Sequence, residues 1–558
     1  MTTAVGLGAR SDALERLAER AQRPFDVLVV GGGITGAGIA LDAASRGLDV
    51  GLVERGDFAS GTSSKSSKLV HGGLRYLEQR EFGLVREAST ERELLARLAP
   101  HLVEPIPFVI PVADRWKRAM FGVGLWAYDA LASFKNLNVH RHMDPEEIEN
   151  LVPALPKGSI RGGYVYYDSR TDDVRLVMEV MLQARRHGAV VSNYTAVRHL
   201  EGSEDECRAT VEDTIGGRTF EIAARRVIVA AGVWTDDIEA LARPEAEPRL
   251  RPSKGVHLVF RRDDIPVSEA ASFIPDVDRR RMLFVIPWLD AVLVGTTDTP
   301  YVGAIDRPVV DETDRTYCLE SVNAAFDLNL TTDDIAGAYA GLRPLIKGKA
   351  GATADLSRRH TVYDIAPGII GITGGKLTTY RKMSEEAVDR VARDLGIDTR
   401  SKTRRIRLGS SDVAALRLAV DRRARWMGIA DAAAASLVRG YGDRALAVLD
   451  IAAERDLVGP LVPGGLPIAA EAVYCVRAEM AVQLSDLLAR RTRLAVTDVM
   501  AGISGESRAA SLMGEELGWS RHERRRQVDA HRVDTEIERG LTLGDAITDA
   551  PGSGAGSG

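Results

Sequence analysis

An apolar run, Phe25-Asp26-Val27-Leu28-Val29-Val30, passes directly into Gly31-Gly32-Gly33-Ile34-Thr35-Gly36-Ala37-Gly38. A helix-period stretch from Thr35 to Arg46 follows, and a second apolar run, Leu48 to Val53, ends on Glu54. This order predicts strand, tight turn, helix and strand. Further along, Arg226 to Trp234 reads as a buried strand ending in small residues. Met282 to Pro287 and Ala291 to Thr296 read as a hairpin turning at Leu289-Asp290, and Asp311 to Phe326 as an acidic helix. Glycine-rich segments return at Ala340 to Leu345 and at Gly371 to Arg381. From Ser384 onward Ala, Leu, Arg and Glu recur at helical spacing, which sets a domain boundary near residue 400. At the other end, Ser11 is expected to cap a short helix with Leu14, Leu17, Ala18 and Ala21 on one face, stopped near Pro24.

The first of these units carries chemistry. Glycines at 31, 33 and 36 suit a tight turn, close approach of a pyrophosphate to the backbone, and packing of helix on strand. Backbone N-H groups at the helix start then face the phosphates, and Glu54 is placed to accept hydrogen bonds from ribose hydroxyls. The unit predicts a dinucleotide site and leaves FAD and NAD undistinguished, because both present the same adenosine diphosphate half.

Composition narrows the class. The 558 residues suffice for two to four domains, and 45% hydrophobic with 27% charged residues describes a globular protein that folds without staples. A formal net charge of -6 argues against a general nucleic-acid binder, so the clusters Arg404-Arg405-Ile406-Arg407 and Arg524-Arg525-Arg526 read as solvated helix faces. Cys207, Cys318 and Cys475 are far apart and support neither a disulfide framework nor a thiolate metal site, which fits a reducing cytosol. No secretory signal opens the chain, and residues 551–558, rich in Gly and Ser, are expected to form a flexible tail.

The most apolar stretch, Met120 to Tyr128, is too short to span a bilayer. Flanked by Arg115, Lys117, Arg118 and Lys135, it reads either as an interfacial helix, with Trp116, Phe121, Trp126 and Tyr128 at headgroup depth, or as a buried helix of a substrate domain.

A serine-rich loop, Gly61 to Lys68, leads into Leu69-Val70-His71-Gly72-Gly73-Leu74-Arg75-Tyr76. Its mixture of His, Gly-Gly, Arg and Tyr belongs where backbone approaches a ligand, unlike a flexible spacer. Five segments now stand in order: Gly31 to Gly38, Ser63 to Glu78, Phe284 to Asp298, Gly341 to Leu345, and Gly374 to Arg381. Together they make the chain resemble the FAD-dependent glycerol-3-phosphate dehydrogenases from Phe25 to beyond residue 500. Thr35 stands where many relatives have Asn, and this chain has extra residues at both ends.

That resemblance implies an α/β fold, α+β overall: a glutathione-reductase-like FAD-binding Rossmann domain interleaved with a mostly antiparallel substrate domain. These would occupy residues 25–400 after an extension at 1–24, with the substrate part mainly 77–150 and 255–335. A helical C-terminal domain, 401–545, and a tail, 546–558, complete it. It implies oxidation of sn-glycerol 3-phosphate to dihydroxyacetone phosphate by hydride transfer to FAD, without a metal, and electrons passed to a membrane quinone. The implied FAD contacts are Gly31, Gly33, Ile34, Thr35, Gly36, Glu54 and Arg55. To these it adds Thr62, Ser63, Ser64, Lys68, Leu69, His71, Gly73, Ala231, Gly232, Gly374, Gly375, Leu377 and Thr378.

A phosphorylated polyol needs cations for its dianion, and Arg75, Arg343 and Lys376 fall in motifs that by resemblance line the substrate cavity. Tyr76 and Thr378 are candidate hydroxyl donors. A base titrating near neutrality is wanted for the hydroxyl proton. Of His257 and His71, both in family motifs, His257 is preferred, with Arg343 stabilising the developing alkoxide. A quinone acceptor implies a cytoplasmic protein docked on the inner face of the plasma membrane through anionic lipid, expected as a homodimer, with the stretch from Lys376 to Arg390 as a second basic contact. The alternatives are an oxidase passing electrons to oxygen, and a flavin-binding interaction protein without turnover.

Overall fold

The computed structural model describes residues 9–74, 81–112, 120–122, 124–126, 139–278, 281–347 and 359–540. Among these, two sheets and a helical region account for the architecture.

The first sheet has eight strands. Its centre is parallel: Ile369–Thr373, Thr219–Val229, Phe25–Val30, Val50–Val53 and Val190–Ser192 lie side by side in that order. Register pairs Val27 with Val50 and with Arg226, and Val30 with Val53 and with Val229. Parallel strands covered on both faces carry continuous apolar runs rather than alternation, which is why Val27, Leu28 and Val29 are all fully buried. Helix Ile34–Arg46 is the crossover. It is buried nearly all round because the helices Asp173–Arg186 and Tyr380–Asp394 pack against it, and it ends at Gly47, whose φ of +99° closes the last turn.

The second sheet has ten strands and is antiparallel except where Ala271–Pro275 runs parallel to Glu104–Pro111. Ser253–Arg261 pairs with both Ala291–Gly295 and Gly337–Arg343. Here side chains alternate. Val256, Leu258 and Phe260 enter the core beneath helix Glu312–Phe326, while Val259 and Tyr339 belong to the core of the opposite face. His257 shares that second face, stacked on Tyr339, and a slip of one residue would bury its ring among aliphatic side chains instead. Strands Gly163–Arg170 and Gly337–Arg343 join this sheet too, beyond the two stretches from which the sequence draws the substrate part.

The expected hairpin is present as Met282–Trp288 and Ala291–Gly295, with Leu289 at φ +54°. The expected acidic helix is Glu312–Phe326, capped by Asp311 and Asp314 in a reciprocal pair. The first helix differs from its expectation. It starts at Arg10, and its cap position is Ala9, so Ser11 lies inside the first turn and is exposed.

Helices from Val413–Trp426 to Arg521–Arg539 build a separate core around Val420, Leu437, Val448, Leu484 and Met513. Buried ion pairs join it to the first sheet's helices and loops: Arg444 with Glu179, Glu479 with Arg175 at 2.8 Å, and Arg491 with Asp57 at 2.7 Å. Dry pairs of this kind fix one docking geometry, because a misaligned alternative would bury unpaired charge.

No helix of the described residues is long and apolar enough to cross a membrane. In the 120–126 stretch Leu125 is buried, whereas Met120 and Trp126 are 63% and 62% exposed; Trp116 and Tyr128 lie outside the described residues. The second basic stretch is largely internal. Arg381 is buried in an ion pair with Glu91, and the helix that carries it packs on Ile34–Arg46.

Candidate active site

The turn after Phe25–Val30 is built by exclusion of side chains. Gly31 has φ +115°, and a Cβ on it would lie 2.5 Å from the carbonyl oxygen of Ala230. Gly33 caps helix Ile34–Arg46 in extended conformation, and the Ile34 N-H donates to Ser63 Oγ at 3.0 Å. The carboxylate of Glu54 accepts from the backbone N-H groups of Gly32, at 2.6 Å, and Gly56, at 2.8 Å. Burial raises its pKa, an effect those two hydrogen bonds oppose.

From this turn a cavity of about 320 Å³ extends along the carboxyl ends of the parallel strands. One end is Gly31, Gly33, Ile34, Thr35, Glu54 and Arg55; the walls are Thr62, Ser63, Ala231, Gly232 and Trp234; the far end is Gly374, Gly375, Lys376, Leu377 and Pro344. Small residues at the strand ends let a planar ring approach the backbone, and polar lining at the first end suits phosphate and ribose. At the rim, the guanidinium of Arg55 lies 4.4 Å from the Trp234 ring centroid, and Asp306 bonds both Arg55 and, at 2.7 Å, Trp234 Nε1.

Beside the cavity lies a second group of side chains. Pro344 of the far end follows Arg343, whose Nη2 donates to Thr296 Oγ1 at 2.9 Å and to the Thr297 carbonyl at 3.1 Å, while Nη1 reaches Asp298 at 3.3 Å. His257 stacks on Tyr339 with centroids 5.0 Å apart, and its Nε2 lies 2.9 Å from Ser67 Oγ. Burial, then the charges of Lys68 and Arg343, hold its pKa well below the ordinary imidazole value. Lys68 is buried against Asp173 at 2.8 Å, and desolvation brings its pKa down to about 8.

The expected residues are therefore distributed over two shells. Gly36 sits beneath the turn against the Gly31 carbonyl. Ser64, Lys68, Leu69, His71, Gly73 and Thr378 lie outside the cavity lining. Ser64 Oγ donates to the Gly61 carbonyl, Leu69 pairs with Arg170, Gly73 sits at φ +80°, and the buried Thr378 hydroxyl accepts from the His71 N-H at 3.1 Å. Arg75 and Tyr76 lie outside the described residues. Sequence reasoning missed Ser60, Gly61, Thr195 to Arg198, Trp234, Asp237, Ile238, Leu241, Thr373 and Met383, all of which line the cavity. Trp234 carried a signal, since it closes the small-residue strand end. Thr195 to Arg198 carried none, because only the pairing of Val190–Ser192 with Val50–Val53 brings them near Glu54.

Residues 26–381 match the family described as FAD dependent oxidoreductase, and residues 401–524 match the C-terminal domain of alpha-glycerophosphate oxidase. The chain belongs to the FAD-dependent oxidoreductases. More narrowly, it is 40% identical to a glycerol-3-phosphate dehydrogenase of Mycobacterium leprae over 96% of this chain and 92% of that protein. It is 35% identical to the aerobic glycerol-3-phosphate dehydrogenase of Staphylococcus epidermidis over 93% of this chain and 96% of that one. A glycerol-3-phosphate dehydrogenase of Bacillus halodurans, solved in complex with FAD, matches with a TM-score of 0.78 and 31% identity, covering 95% of this chain and 98% of that chain. The expected cofactor class and fold class stand on these matches and on the turn that the glycines build.

Proposed function

We propose that the protein oxidises sn-glycerol 3-phosphate to dihydroxyacetone phosphate, with FAD in the cavity and a membrane quinone as the final acceptor. The observation that carries this reading is the neighbourhood of a fixed guanidinium, Arg343, and an uncharged imidazole, His257, behind the far end of a dinucleotide cavity. The relatives' names supply the substrate.

The residues fit the cofactor. Gly31, Gly33, Ile34 and Thr35 would hold the pyrophosphate, Glu54 the ribose, and Ala231, Gly232, Gly374, Gly375 and Leu377 the ring end, where side chains are small or apolar. Bound there, FAD supplies a two-electron acceptor that no amino-acid side chain offers.

The chain's own groups do the rest. In the tautomer whose Nε2 proton is donated to Ser67, His257 keeps its lone pair on Nδ1, a buried atom with no hydrogen-bond partner among the described residues. A phosphate dianion entering beside it raises the imidazole pKa, so basicity appears when substrate is present. Arg343, orientated by Thr296, Thr297 and Asp298, stabilises the alkoxide as the proton leaves. Lys376 at the cavity end, with Arg75, serves the phosphate. A quinone stays in lipid, so the protein docks on an anionic bilayer surface through the stretch that exposes Met120 and Trp126, as a homodimer on the cytoplasmic face.

Anaerobic addition of glycerol 3-phosphate to the purified flavoprotein tests the reading: the flavin absorbance should bleach. An unchanged spectrum would overturn it. Reduction of a quinone analogue, measured against peroxide release in air, then assigns the acceptor.

A further inference from the structure

We infer that Arg493, in the helical C-terminal region, is a positioning residue for the oxidation, acting through Asp173 on the turn that presents Ser67 to His257. The inference rests on the reading of His257 as proton acceptor.

Arg493 is buried and holds a left-handed backbone, φ +66°, which long side chains adopt rarely and only when their surroundings enforce it. Its guanidinium reaches Asp172 Oδ1 at 3.0 Å and also bonds Asp173. Asp173 opens helix Asp173–Arg186 and turns its carboxylate to the serine-rich loop. There it accepts from Ser66 Oγ at 2.7 Å, from the Ser66 N-H at 3.2 Å and from Lys68 Nζ at 2.8 Å. Lys68 is itself left-handed, φ +57°, and its ammonium lies 4.8 Å from the Tyr339 ring centroid. Tyr339 donates its hydroxyl to the Ser66 carbonyl at 2.9 Å. Ser66 and Lys68 are thus held on both sides of Ser67, whose Oγ meets His257 Nε2.

Two buried residues with positive φ and one carboxylate shared by two cations lock a three-residue turn. The turn's middle hydroxyl is the hydrogen-bond partner of the imidazole Nε2 at 2.9 Å, so its position sets how the ring is held. Among the described residues, the charged groups that bear on His257 are Lys68 on the loop and Arg343 at the end of Gly337–Arg343, paired with Asp298, and behind Lys68 stand Asp172, Asp173, Arg493 and Glu538. Arg493 comes from beyond residue 400, and from the same region Glu538 reaches the serine-rich loop one position before Ser66, at Lys65 Nζ, 2.9 Å. Arg444 with Glu179 is an equally buried pair across the same junction, but it lies away from the loop and serves as the comparison.

The experiment uses flavin-loaded Arg493→Lys, Arg444→Lys, Ser67→Ala and His257→Asn. For each, Tm is measured, and flavin reduction by saturating glycerol 3-phosphate is followed anaerobically between about pH 5.5 and 9. Lysine keeps the charge of Arg493 but loses the fork that spans two carboxylates. Both arginine variants should melt earlier. Arg493→Lys and Ser67→Ala should reduce flavin roughly 10- to 100-fold more slowly and move the acidic limb of the profile, while Arg444→Lys stays within about twofold of wild type. A lowered Tm with wild-type rate and profile in Arg493→Lys would make it a domain clamp and overturn the inference. Should that variant not fold, a wild-type rate and profile in Ser67→Ala would overturn it equally. An acidic limb that persists in His257→Asn sinks the proton-acceptor reading itself; its loss there, beside an unaffected Arg493→Lys, sinks the positioning role alone.

Discussion

The carbonyl oxygen of Gly31 lies where any side chain on Gly36 would have to begin: a Cβ there would stand 1.9 Å from it. Both partners are backbone or directly attached to it, so no rotamer change relieves the clash. Gly36→Ala should push helix Ile34–Arg46 off the strand and open the pyrophosphate turn, at a cost of about 1 to 3 kcal/mol or more. The expected product purifies without yellow colour. The ratio of flavin to protein absorbance after gel filtration is the measurement, and a wild-type ratio would contradict the assignment of this turn to the cofactor.

Arg343→Ala removes a guanidinium that is already orientated by three oxygen atoms, and it leaves the dinucleotide turn untouched. The flavin spectrum should be unchanged. Turnover should fall roughly 30- to 1000-fold, equivalent to about 2 to 4 kcal/mol. Rapid mixing with glycerol 3-phosphate separates the two effects, since only the reduction rate should move.

Asp306 ties Arg55 to Trp234 over the cavity rim, through contacts that are largely exposed. Exposed pairs contribute little, so Asp306→Ala should speed FAD release by no more than about fivefold. Recovery of free-flavin fluorescence on dilution reports the rate, and loss of retention on the scale of Gly36→Ala would show the rim to be more than a latch.

Glu179 sets an acid limit on stability. Burial pushes its carboxyl pKa up, but the Arg444 guanidinium and nearby His101 more than offset this and hold it at about 2. A depressed folded-state pKa stabilises the protein above the unfolded value of roughly 4.5, and that contribution disappears as pH falls toward 2. Its size is about 3 kcal/mol. Glu179→Gln should lower Tm at pH 7, where it leaves Arg444 buried without its anion, and should flatten the fall in Tm below about pH 4.5 relative to wild type. Parallel melting curves for both proteins across that window would remove Glu179 from the account.

Membrane docking through the stretch that exposes Met120 and Trp126 predicts that Phe121→Ser combined with Trp126→Ser weakens flotation with anionic liposomes. Trp126 is exposed, whereas Phe121 is half-buried and packs against the core cluster around Phe108 and Tyr166, so part of any effect would come from local packing. A single Trp126→Ser isolates the surface term. Equal flotation of wild type and both variants would exclude this stretch as the contact.

The dinucleotide turn was legible because most of the constraints on it are local. Strand, glycines, helix and Glu54 are contiguous, and the exclusion of a side chain on Gly36 by the Gly31 carbonyl acts between residues five apart, whereas the exclusion at Gly31 itself comes from Ala230 on a distant strand. The hairpin at Leu289-Asp290 and the capped helix at Asp311 were legible for the same reason: the groups that satisfy their backbone hydrogen bonds sit within a few residues. The first helix begins two positions earlier than a cap at Ser11 would start it, because no side chain caps it, which leaves Ser11 as an attractive but unused signal.

What the sequence by itself determined is therefore the apolar periodicity, the turn chemistry and the family motifs that specify an FAD-dependent oxidoreductase. Only the tertiary structure decided which of those motif residues line the cavity and which stand behind it. Lys68 and Thr378 share motifs with lining residues, yet they are buried on Asp173 and on the His71 backbone. It also decided that Arg493 reaches a loop more than 400 positions earlier in the chain, by way of Asp173. Burial and paired charge are long-range properties: a lysine or arginine carries no local mark of the carboxylate it will meet, because that partner is chosen by how sheets and helices pack.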